Sequence, residues 1–183
     1  KQYRGVAMHP EVDAAVEDIV NESISIANDG STVTVNMDNV EISDKIKKNI
    51  QEEFKNICVM LKFNELGHDI FRRWYVDGRI YHHLVVNEAN IKLGIQDIRP
   101  IDATKIRKVK EIKKKKDPIT GAELIEKVDE HFIYQEKPGQ TKQGVKLTTD
   151  AVSYVTSGLL DQDRKRVISY LQKALKPLNQ LRM

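Results

Sequence analysis

Apolar residues recur at helical spacing at both ends of the chain and at alternate positions in its middle, which predicts helices flanking a set of strands. Val12, Ala15, Val16, Ile19 and Val20 stripe one face of a helix over 10–25. Pro10 stands at its first position, where a missing N–H costs nothing, and Glu11 and Asp13 complement the dipole of its first turn. Beyond the turn signal Asn28-Asp29-Gly30, the alternation Thr32, Val33, Thr34, Val35, Met37 predicts a short strand. Ser43 offers an N-cap for a long helix whose stripe of Ile46, Ile50, Phe54, Ile57 and Leu61 is expected to face a core. Asn64 offers the cap of the next helix, through Leu66, Ile70, Phe71 and Trp74, with Gly78 as its left-handed C-terminal residue.

From Arg79 the period changes to two. Strands are predicted over 79–86 and 91–98, joined by a turn at 87–90 and stopped by Pro100. After a connector at 102–105, Ile106, Val109 and Ile112 begin a long polar hairpin that turns at Asp117-Pro118-Ile119-Thr120-Gly121 and returns over 126–136. A loop at 138–144 and a strand over 145–155 follow. The last helix is expected from about Asp161, with its stripe Val167, Ile168, Leu171, Ala174, Leu175, Leu178, Leu181 kinked at Pro177. This pattern is an α+β fold: amphipathic helices packed with antiparallel hairpins, ending in a long kinked helix. The chain opens at Lys1 with neither an initiator Met nor a leader, and its last stripe runs to Met183 without a Gly cap, so the reading expects part of a longer protein.

Length and composition narrow the class. At 183 residues with 40% hydrophobic content the chain suits one domain or two small ones. A mean hydropathy of -0.50 and the lack of any 18-residue uncharged stretch argue for a soluble protein. One cysteine, Cys58, fits a reducing compartment, and its neighbours Ile57, Val59 and Met60 suggest a core thiol.

Charge is concentrated in one segment. Between 105 and 116, Lys105, Arg107, Lys108, Lys110, Lys113, Lys114, Lys115 and Lys116 face a single acid, Glu111, whereas the whole chain carries only +3. The body is therefore net acidic. Such a stripe suits a sequence-independent contact with nucleic-acid phosphates, or simply a solvated strand and hairpin tip. In a strand, lysines also guard an edge against pairing, and no stacking aromatic is interleaved among them.

Other chemistry is thinly represented. Asp102 with Glu111-Ile112-Lys113 has the acid and E-x-K spacing of magnesium-dependent nucleases, which makes a metal-dependent nuclease or a nonspecific nucleic-acid-binding module the alternative reading. The histidines His9, His68, His82, His83 and His131 fall on different elements, and adjacency of His82 and His83 in a strand sends one to the core and one to solvent. Phosphate-binding loops, dinucleotide fingerprints, zinc-helix motifs and nucleophile elbows are missing, and Ser153, Ser157 and Ser169 have no base nearby in sequence. The expectation is a protein that is not an enzyme and holds no cofactor or metal.

Five stretches, in shared order along nearly the whole chain, resemble the portal (head-to-tail connector, portal vertex) protein of T-even-like tailed phages. They are residues 10–22 (PEVDAAVEDIVNE), 71–81 (FRRWYVDGRIY), 98–102 (IRPID) with 105–109 (KIRKV), 154–159 (YVTSGL) and 170–183 (YLQKALKPLNQLRM). The segment around Trp74 and the last stretch are the most specific. The resemblance implies that 1–183 is a fragment of the wing region, lying ahead of the clip and stem, with 105–136 a protruding basic hairpin within it. It further implies a dodecameric ring at one vertex of the virion capsid, assembled in the host cytoplasm. Through this ring double-stranded DNA enters during packaging and leaves at ejection. Implied partners are other copies of the chain, major capsid and scaffold proteins, the terminase large subunit and neck and tail proteins. The clip and stem contacts of the family lie outside these residues, so the resemblance assigns no binding site here.

Overall fold

The computed structural model describes residues 2–26, 30–116, 123–137 and 144–181. The turns expected at 28–29 and 117–121, the loop at 138–143 and the final Arg182 and Met183 lie outside these described residues. The chain divides into two compact units, Lys1–Ile80 with Val155–Met183, and Tyr81–Tyr154. Helices dominate the first and antiparallel strands the second, the α+β class expected.

In the first unit α1 (Gln2–Val6) leads into α2 (Pro10–Ser23), α3 (Asp44–Met60) and α4 (Phe63–Asp77). The core joins Val6, Ala7, Val16, Val20, Val76 and Leu171, with Phe71, Tyr75 and Leu175 packed against it. Arg4 clamps Asp77 through two parallel hydrogen bonds, Nε to Oδ1 at 2.9 Å and a terminal nitrogen to Oδ2 at 2.6 Å. This ties the first helix to the end of the fourth. At that end Gly78 takes φ 72 and donates to the Trp74 carbonyl, the left-handed cap its sequence position suggested.

Four expectations for this unit change. Residues 32–37 form no strand, because no second segment lies alongside to complete a ladder among the described residues. The α3 stripe does not face a core: the helix buries no residue, and Ile46, Ile50 and Ile57 are 49%, 39% and 36% exposed. Asn64 is not a cap, since α4 starts one residue earlier after a left-handed Lys62, and the Asn64 side chain instead accepts from the Thr32 hydroxyl at 2.9 Å. The last helix begins late. Residues 161–168 turn back through a Leu160–Val167 bridge, and Ser169, fully buried, donates to the Tyr75 carbonyl and accepts from Leu171 N–H. A 3-10 turn (Tyr170–Ala174) precedes α5 (Leu175–Leu181), so Pro177 sits in the first turn of α5, where its missing N–H breaks no hydrogen bond. The expected kink therefore has no interior turn to bend.

Among the described residues the strands form two three-stranded sheets, ordered β2-β1-β6 and β3-β4-β5. They are β1 (Arg79–Val86), β2 (Ile95–Ile101), β3 (Ile106–Lys116), β4 (Glu123–Tyr134), β5 (Val145–Leu147) and β6 (Val152–Thr156). Pro100 does not stop β2. It pairs opposite His82 on an edge strand, where a residue without N–H is tolerated. Residues 91–93 are a 3-10 turn rather than strand. The strand expected over 145–155 is broken at 148–151 by a turn, so its halves join different sheets.

Residues from both sheets meet in the second unit's core of Tyr81, Ala103, Ile106, Phe132 and Val152. Tyr81 stacks on Tyr154 at 4.8 Å, and both meet Phe132 edge-on at 6.0 and 5.9 Å. These offset and T-shaped geometries are the ones ring quadrupoles favour. His82 is buried, as expected of one of the pair, whereas His83 is half-buried rather than turned to solvent; burial pulls the His82 imidazole below its ordinary value.

Candidate functional site

The basic segment folds as β3 and pairs antiparallel with β4, from Ile106 opposite Tyr134 at the base to Lys116 opposite Glu123. Asp102 shapes its entry: one carboxylate oxygen accepts from both the N–H and the hydroxyl of Thr104 at 2.8 Å, and its carbonyl accepts from Lys105 N–H. Gln135 N–H then closes on the Lys105 carbonyl at 2.7 Å and fixes the register at the base. A bulge between Lys113 and Lys114 shifts that register near the far end.

Strand pairing divides the lysine stripe in two. Glu130, opposite Lys110, takes Lys108 at 2.6 Å and Lys110 at 3.3 Å. The hydrogen bond from Lys108, with that from Lys110, holds the Glu130 carboxyl below its ordinary value. Lys146 on β5 reaches Asp129 at 3.2 Å and does the same there. His131, 4% exposed in its side chain, lies between Glu111 and Asp129, with nitrogens 3.8 and 3.9 Å from their carboxylates. The proximal half is therefore largely neutralised. Farther out, Lys113 stands directly opposite Lys127, and Lys115 follows; all three are exposed and form no salt bridge among the described residues. Lys105 is half-buried at the base and Arg107 exposed opposite Ile133, while the side chains of Lys114 and Lys116 lie outside the described set. Reading β3 alone missed this division because its neutralising acids come from β4; the run of Asp129 and Glu130 was the available signal.

The nuclease constellation is not assembled. Asp102 is spent on its own turn, and Glu111 lies five residues along β3 from Ile106, about 16 Å at the rise of a strand. Among the described residues no three His, Cys, Asp or Glu side chains converge as metal ligands, and no helix is long and apolar enough to cross a membrane.

Sequence reasoning also missed a groove in the first unit, ≈ 740 Å³, lined by Val33, Val35, Phe54, Cys58, Val59 and Phe63. Cys58 is thus a half-buried groove residue rather than a core thiol, and burial raises its pKa, which leaves it a poor nucleophile.

The sequence model of the family described as Bacteriophage T4-like portal protein (Gp20) matches residues 1–183. The chain belongs to this family. It is 34% identical over 195 residues to the portal protein of Vibrio phage KVP40, an alignment covering 100% of this chain and 37% of that protein. It is 32% identical over 197 residues to the portal protein of Salmonella phage ViI, covering 99% of this chain and 35% of that one. The chain thus spans a little over a third of the length of these portal proteins. Nothing in these matches supports the nuclease alternative.

Proposed function

We propose that this chain is the wing portion of a structural portal subunit, one of a ring of identical copies at a capsid vertex through which double-stranded DNA is packaged and ejected. The observation that carries this reading is the family match along the whole chain. In that ring, a dodecamer, the subunit is not an enzyme. It is part of the body on which capsid and scaffold proteins, the terminase large subunit and neck and tail proteins assemble. Negative-stain microscopy of the purified protein tests the assembly: rings with a central hole are expected. Particles of single-copy size at every protein, salt and magnesium concentration would refute it.

Within this reading the far end of the hairpin is the part suited to polyanions, because Lys113, Lys115 and Lys127 are exposed there and form no salt bridge among the described residues. Lys113, Lys115 and Lys127 would touch DNA phosphates without sequence preference. Three neutralised phosphates give a slope of roughly −3 in log affinity against log salt. Anisotropy of labelled duplexes should show that slope equally for unrelated sequences, and lose binding on joint Lys113→Glu and Lys115→Glu replacement. Binding that survives the replacement assigns the DNA contact elsewhere.

A further inference from the structure

The α3 helix is long, yet none of its residues is buried. A helix in water draws most of its stability from a packed face, and its own unit supplies little of one. Its outer ridge, stepping by three and four residues, is Lys45, Lys48, Glu52, Lys55 and Val59. All are exposed, Val59 at 74%, and the lysines form no salt bridge among the described residues. In the same unit α2 buries Val16 and Val20 and turns the opposite ridge outward: Glu11, Ala14, Ala15, Asp18 and Glu22, all exposed, the acids forming no salt bridge among the described residues.

The two ridges are complementary in sign and in spacing. Glu11 and Asp18 are seven residues apart, as are Lys48 and Lys55, so both pairs span about 10.5 Å along their helices. Laid parallel in that register, the small Ala14 and Ala15 fall opposite Glu52 and let the backbones approach. A two-fold contact of the α2 ridge with itself would set its acids Glu11, Asp18 and Glu22 together, so the acidic ridge selects a basic partner, which the lysines of α3 supply.

We propose that the α2 ridge of one copy docks on the α3 ridge of a second copy, setting Glu11 against Lys48 and Asp18 against Lys55. The contact joins two different faces of the same chain, a heterologous arrangement that repeats from copy to copy and closes when its rotation divides a circle. It rests on the ring reading above and names the surfaces that make the ring.

Sedimentation velocity on the protein and its charge variants tests it, together with carbodiimide coupling in an equal mixture of 15N-labelled and unlabelled copies. Mixed-isotope peptides joining Glu11 to Lys48 and Asp18 to Lys55 are expected. Joint Lys48→Glu and Lys55→Glu replacement should weaken association at least about tenfold, since like charges then face each other. Adding Glu11→Lys and Asp18→Lys should restore it. Association that ignores the reversal, or a four-fold swap that restores nothing, overturns the pairing while leaving the ring reading intact. A parent chain of single-copy mass at every concentration overturns both. Far-UV circular dichroism must match across the set, and Lys48→Gln with Lys55→Gln, expected to give a smaller loss, replaces any variant that does not.

Discussion

Replacing Gly78 with alanine should destabilise this chain by about 2–4 kcal/mol, more than its small size suggests, because two separate costs coincide there. At φ 72 the backbone is in the left-handed region, where a Cβ costs about 1 kcal/mol. The added methyl would also lie 2.6 Å from the carbonyl oxygen of Ile168 and 2.9 Å from the Cα of Ser169. Those are backbone atoms, not the end of a side chain that can swing aside. They belong to the segment whose Ser169 bonds the Tyr75 carbonyl, and the Gly78 carbonyl itself accepts from Ser157 N–H at 2.8 Å. Relief therefore means breaking a buried hydrogen bond or shifting the last turn of α4. Gly158 supplies the control: its φ is 75, yet nothing lies within 4 Å of its would-be Cβ. Gly158→Ala should carry the conformational cost alone. With a shift of about 2–4 °C per kcal/mol for a chain of this size, Gly78→Ala should melt roughly 5–15 °C below the parent and Gly158→Ala only a few degrees below it. Equal melting temperatures for the two variants would refute the steric part of the reasoning. A Gly78→Ala protein as stable as the parent would refute all of it.

Phe132→Ala should cost about 3–5 kcal/mol in urea unfolding, because the ring is 2% exposed and edge-on to both Tyr81 and Tyr154; a loss under 1 kcal/mol would mean that the cavity collapses. The carboxyls of Glu130 and Asp129 are held below their ordinary values by lysine partners, so their contribution is present above the unfolded carboxylate range and is lost as pH falls through their lower folded values. Carboxyl chemical shifts followed by NMR should titrate at lower pH than in Lys108→Met for Glu130, and than in Lys146→Met for Asp129. Unchanged midpoints would deny those pairings a role, and since both side chains are only half-buried and screened by water the effect on global stability should be slight.

Local rules carried the sequence reading where the deciding partner was local. Pro10 and the acids after it placed α2, Gly78 ended α4 through its own φ, and the change of period at Arg79 marked β1. Errors arose where a distant segment decides. The alternating residues 32–37 have strand composition but no neighbour to bond, and the continuous-looking 145–155 is split between two sheets by a turn that only the fold reveals. Pro177 reads as a kink when the helix is assumed to begin near Asp161, and as an ordinary first-turn residue once buried Ser169 delays the start to Leu175. The basic hairpin was half legible: its eight cations are plain in the sequence, whereas their partial neutralisation depends on a cross-strand register that periodicity alone does not set.

The distribution of burial bears on how such a chain is held together. Among the described residues the two cores are small, each built around five or six buried apolar side chains with half-buried neighbours. Elsewhere large apolar side chains remain in water, among them Ile46, Ile50 and Val59 on α3, and Ile91 and Leu93 at the β1–β2 connection. At about 25 cal/mol per Å² of apolar surface, stabilisation absent from the cores is still available at these exposed side chains if another surface covers them. Covering them by association stabilises the folded form by mass action, since a neighbour binds the folded chain and not the unfolded one. On the ring reading proposed above, a chain with modest cores and exposed apolar and charged ridges would gain rigidity from neighbouring copies, and a melting temperature that rises with protein concentration is the expected sign of it.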